Sequence, residues 1–139
     1  MNLTALALVG ALGTGQAAAV LPGYADLPLL PGASVSPACF ELLGGMGVEG
    51  SNLACLEAEA ERANDLAWEY GREAQARGWR WGSGAANVIW YERPKADGGC
   101  DRLSIMVFWD FQKSEEPPAG EPLFIALAGT PEPCQPGQP

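Results

Sequence analysis

The chain has 139 residues, with 17 acidic against 8 basic side chains, no histidine and a net charge of −9. That length fits one domain and leaves little room for a second. The basic residues form no stripe or cluster, which argues against a nucleic-acid partner and against an anionic membrane surface.

Residues 1–25 carry no charged side chain. An apolar run, Leu3 to Val9, is followed by Gly13, Gly15 and Gln16 and then by Ala17-Ala18-Ala19, small residues of the kind a signal peptidase accepts. We read residues 1–19 as a signal peptide, with a mature chain beginning at Val20 and free of the membrane after cleavage. A retained anchor is the alternative, for which the run is short and broken by glycine.

Residues 20–37 are punctuated by Pro22-Gly23, Pro28 and Pro31-Gly32. Each proline fixes φ and turns its predecessor away from helix, so an extended leader lying along the domain is expected. A single α+β domain should follow over 38–134, and 135–139 should be a disordered tail. Its first element is a short helix from Pro37 to Leu43, with Ser36 as N-cap and Pro37 in the first helical position. Gly44-Gly45 stops it, and Met46 to Gly50 is a glycine-rich loop without the lysine of a phosphate cradle.

From Leu53 the spacing predicts one long helix, capped by Ser51 or Asn52 and ending at Ala76-Arg77-Gly78-Trp79. Leu56, Ala60, Ala63, Ala67, Tyr70 and Ala74 fall on one face of it. Gly71 is its weak point unless another segment approaches closely there. Beyond Gly78 the period changes to two. Trp79-Arg80-Trp81 leads into three strands, Asn87–Arg93, Arg102–Phe111 and Leu123–Ala128. The expected fold is therefore α+β: one long helix plus a short one on a three-stranded antiparallel meander, bridged by disulfides.

The middle strand selects the buried face, since Leu103, Ile105, Val107, Trp109 and Phe111 are all apolar while the alternate positions are mixed. A four-residue hairpin loop pairs Pro94 with Gly99. It sets Trp90 against Leu103 and Val88 against Ile105 on the core side. A five-residue loop exchanges the two sets. In the last hairpin Phe108 is expected opposite Ala126, and extending that register brings Cys100 opposite Cys134. One bridge is then Cys100–Cys134, leaving Cys39–Cys55 to tie the short helix to the long one. Intervals of 15, 44 and 33 residues between the cysteines match no familiar zinc module, so bridges are the better reading.

Asp26-Leu27-Pro28-Leu29-Leu30-Pro31-Gly32-Ala33, the helical Trp68-Glu69-Tyr70 and the following Gly78-Trp79 resemble the pattern of a group of small exported bacterial envelope proteins. Those open with a proline-rich segment ending in Pro-Gly-Ala and have a helix running into Gly-Trp. The resemblance implies an exported bacterial domain, periplasmic or secreted. It transfers no functional residue.

Catalytic chemistry has few candidates. A serine nucleophile would need Lys95 or Lys113 as its base. Paired carboxylates for a small hydrolase would come from Glu57, Glu61 and Asp65 on the helix, or Asp97 and Asp101 at the hairpin. No catalytic, cofactor or metal residue is assigned. The reading preferred on sequence is a non-catalytic binding or assembly module. Its partner-binding or self-associating face is the outer side of the sheet: Ile89, Tyr91, Met106, Phe108 and Phe124. The competing use of that face is to be covered by the leader.

Overall fold

The computed structural model describes residues 19–45 and 52–134; the segment before Ala19, residues 46–51 and the tail 135–139 lie outside the described residues. The elements are β1 (Ser34–Val35), α1 (Pro37–Gly45), β2 (Leu53–Ala58), α2 (Ala60–Ala76), β3 (Arg80–Ala85), β4 (Val88–Pro94), β5 (Cys100–Phe108) and β6 (Leu123–Glu132). The fold is α+β, but its sheet has six antiparallel strands in the order β1-β2-β6-β5-β4-β3. The expected long helix on a three-stranded meander is corrected accordingly.

The main departure is β2. Its Leu-Ala-Cys-Leu-Glu-Ala composition favours helix, yet it forms a strand between β1 and β6, from Leu53 opposite Ala128 to Ala58 opposite Leu123. Ala54, Leu56 and Ala58 join the core on the α2 side, while Leu53 and Cys55 join the cluster under α1. A strand covered on both faces shows no polar alternation, so its period is hidden in the sequence.

Helix α2 starts at Ala60, with Glu59 at the N-cap position and no side-chain cap. Ala63, Leu66, Ala67, Tyr70 and Ala74 are buried along it. Of the expected stripe, Leu56 belongs to β2 and Ala60 is exposed. Gly78, at φ 90°, ends the helix. The Trp79 N–H then donates to the Ala74 carbonyl at 3.1 Å, which turns the indole inward.

The β4–β5 hairpin has the five-residue loop, with Pro94 opposite Cys100, Tyr91 opposite Leu103 and Ile89 opposite Ile105. This one-residue difference exchanges the faces of β4. Tyr91 enters the α2-side core, and Trp90 goes to the opposite face, where Arg102 lies 4.9 Å over its ring. In the last hairpin Phe108 opposes Phe124 rather than Ala126, a two-residue slip that preserves the faces.

The leader is part of the core. Val20 and Leu27 exchange both backbone hydrogen bonds, at 2.7 and 3.0 Å, and the Leu21 carbonyl accepts from Tyr24, Ala25 and Asp26. This closes residues 20–27 into a loop where an extended run was expected. Val20, Leu21, Ala25 and Leu27 are buried with Leu56, Leu66 and Ile125. Tyr70 accepts the Leu30 N–H at 3.0 Å, and Tyr24 donates its hydroxyl to the Arg102 carbonyl at 2.8 Å.

Both expected disulfides, Cys39–Cys55 and Cys100–Cys134, are present. Because β2 is a strand, the first ties α1 to the sheet and not to another helix. Ser36 caps α1 as expected, its hydroxyl accepting the Cys39 N–H at 3.3 Å.

Candidate functional site

The five residues expected on one outer face do not share a face. Ile89 and Tyr91 pack on the α2 side. Met106, Phe108 and Phe124 lie on the other side with Cys39 and Leu43 of α1, so this chain's own short helix covers them and the leader does not. Phe108 is 4% exposed.

The carboxylates considered for hydrolysis are also dispersed. Glu57 is on β2, and Glu61 and Asp65 are on the exposed side of α2. At the β4–β5 turn, Asp97 accepts the Gly99 N–H at 3.2 Å and faces Lys95 at 3.6 Å. That hydrogen bond, with the lysine charge second, holds the Asp97 carboxyl below its ordinary pKa. Asp101 faces Arg93 at 3.7 Å. Both aspartates have structural partners. Among the described residues no group of three or more carboxylates and thiols is gathered closely enough to hold a metal ion.

Two concave features deserve comparison. The first, of about 210 Å³, lies between the leader and β2, walled by Val20, Leu21, Leu29, Val35, Phe40 and Leu53. It has no polar side chain to orient a ligand. The second, of about 260 Å³, lies beneath the connection from β5 to β6. Trp109 and Phe124 give it aromatic walls, Pro117, Pro118 and Pro122 stiffen it, and Glu57, Asp110, Glu121 and Lys113 supply charge.

The connection forms this cleft for local reasons. β5 stops at Phe108, and the Asp110 side chain accepts the Gln112 N–H at 3.0 Å while its carbonyl accepts that of Lys113. This turn leaves Trp109 buried and throws Phe111 outward, 60% exposed, with the two rings edge to face at 5.5 Å. Glu121 then turns back through its N–H to the Pro118 carbonyl, with Gly120 at φ 82°. None of Glu57, Asp110, Lys113 and Glu121 forms an ion pair among the described residues.

Two further recesses continue the cleft around Pro122. One is bordered by Glu59, Glu61 and Glu121, the other by Glu57, Glu59 and Ser34. Of the sequence candidates, Glu57, Lys113 and Phe124 reach the cleft itself. Residues 114–121, with Pro117-Pro118 and Gly120, have the composition of a loose connection; the signal for a site is aromatic Trp109 and Phe111 followed by Pro117-Pro118 and Glu115, Glu116 and Glu121.

No protein-family model matches the chain, and neither a curated protein nor a solved structure shows significant similarity to it. The two disulfides fit an oxidising compartment. Among the described residues no helix is long and apolar enough to cross a membrane.

Proposed function

We propose that this chain is an exported, non-catalytic binding or assembly module of the bacterial envelope, periplasmic or secreted, working through the cleft beneath the β5–β6 connection. The observation that carries the reading is the make-up of that cleft: aromatic and proline walls beside carboxylates that form no ion pair among the described residues. Such groups suit recognition. Glu57 and Asp110 are half-buried and Glu121 is exposed, so all three carboxylates can be reached by a partner. Export is supported by the two bridges, which fit an oxidising compartment.

A small hydrolase using Glu57, Glu61 and Asp65 is the second reading, favoured by Glu57 sharing the cleft with Asp110 and Glu121. Against it, Glu61 opens on a neighbouring recess and Asp65 borders none of these hollows.

The test uses the full chain in bacterial cells. A photoreactive residue in place of exposed Phe111 should give a discrete cross-linked adduct, with a partner or a second copy, in the envelope fraction. The same residue in place of Arg72 on α2 should give none. Equal capture at both positions, no capture at all, or recovery only as reduced cytosolic protein would overturn the proposal.

A further inference from the structure

The cleft and its two continuations share Pro122 and pass Glu57, Glu59, Glu61, Asp110 and Glu121, with Lys113 as their one base. These carboxylates are strung along a groove. They do not converge to hold an ion, since no metal-holding group of acidic side chains exists among the described residues. Charge spread in this way complements several cations carried on one backbone. The seat at the Trp109 end has, in addition, what a guanidinium or ammonium group uses beyond charge: aromatic side chains lining the same hollow as carboxylates.

We propose that the groove receives an extended basic segment of a partner protein through two side chains of Arg or Lys type. One sits against Trp109 and Phe124 between Glu57 and Glu121, and the next lies between Glu59 and Glu61. The inference rests on the binding-module reading above and adds the chemistry of the partner. Prolines 117, 118 and 122 wall the first seat and preset its shape, which lowers the cost of ordering it on binding. Alternate residues of an extended chain point the same way, so basic residues two apart reach the same side of the groove.

The probe is the peptide acetyl-Gly-Arg-Gly-Arg-Gly-amide, titrated into the disulfide-intact mature protein and followed in amide and indole N–H spectra. Shifts should concentrate on the Trp109 indole, Gly120 and Glu59. A net charge of −9 attracts any cation diffusely, so two charge-matched variants are compared. Glu57→Gln with Glu121→Gln should weaken the peptide by roughly fivefold or more. Asp65→Asn with Glu69→Gln, both on α2 and neither bordering the groove, should leave the affinity within about twofold.

Equal weakening in both variants, or shifts spread over the whole surface, would overturn the inference in favour of diffuse attraction. Free arginine or spermidine binding as tightly as the peptide would replace the protein segment with a small cation. A silent titration beside successful cross-linking at position 111 removes the basic partner and leaves the module. A localised titration beside failed cross-linking retains the cation site and removes the module.

Discussion

Gly71 of α2 stands directly against the phenol ring of Tyr91 on β4, so closely that a Cβ at position 71 would overlap the ring and its hydroxyl oxygen. Helix and sheet are thus set at a separation that only a glycine permits. In an isolated helix Gly71→Ala gains about 1 kcal/mol. Here the overlap with a ring that is 2% exposed costs about 1–3 kcal/mol, which outweighs that gain. A lower melting temperature for Gly71→Ala is expected, with stability recovered when Tyr91→Leu is added; a rise in the single variant would show that the ring yields.

Phe108 tests what covers the far side of the sheet. It is packed with Leu43 and Cys39 of α1, and its ring lies 5.5 Å from that of Phe124. Phe108→Ser should cost the monomer about 3 kcal/mol or more, as a large-to-small core change that also buries a hydroxyl. Chemical denaturation of the variant, with sedimentation to confirm the monomer, measures this. Unchanged stability would mean that α1 does not seal this face.

The same helix is held by Cys39–Cys55, whose sequence separation is 16. Replacing both cysteines by alanine should cost about 3 kcal/mol by relaxing the unfolded chain. Hydrogen exchange should quicken first in α1 and in Leu53 to Leu56. Uniform acceleration across the domain would show that α1 is not a separable unit.

How much of this was legible in the sequence follows one physical line. Elements that face water on one side announce themselves: the α2 stripe from Ala63 to Ala74, the alternation of β5, and Ser36-Pro37 at the start of α1 were all readable. The cysteine pairing was reached through a register two residues off: Cys100 lies opposite Glu132, and Cys134, two residues further on, still closes the bridge. Elements covered on both sides were not. Leu53 to Leu56 lies between two helices and shows no polar phase, so its helix-favouring composition dominated the reading. The faces of β4 turned on one residue of loop length, which Asp97-Gly98-Gly99 does not determine. The cleft was invisible because it brings Glu57 to Asp110 and Glu121, residues more than fifty positions apart.

Alkaline pH should loosen the leader. Burial is the chief cause that pushes the Tyr24 hydroxyl from 10.0 up to about 12, with the Asp101 charge adding and the Arg93 charge opposing. Burial also raises Tyr70 and Tyr91. A folded pKa above the unfolded one means that this stability is complete below pH 10 and is lost as the pH rises through about 12. Tyr24→Phe removes the hydrogen bond to Arg102, at a cost of about 1 kcal/mol near neutrality. It should also flatten the decline in urea midpoint above pH 10. An identical slope in parent and variant would assign the decline to other groups.

The sheet order places β2 beside β6, so Leu53 meets Ala128 and Ala58 meets Leu123 across most of the chain. A ribosome releases β6 after the leader, β1, α1 and β2. Until β6 has emerged, the leader, β1, α1 and β2 have no sheet to join, and their leucines must wait uncovered. Folding is therefore a closing event set by the C-terminal hairpin, with the slow rate that distant strand pairing imposes. Truncation before Leu123 would strand the whole N-terminal third.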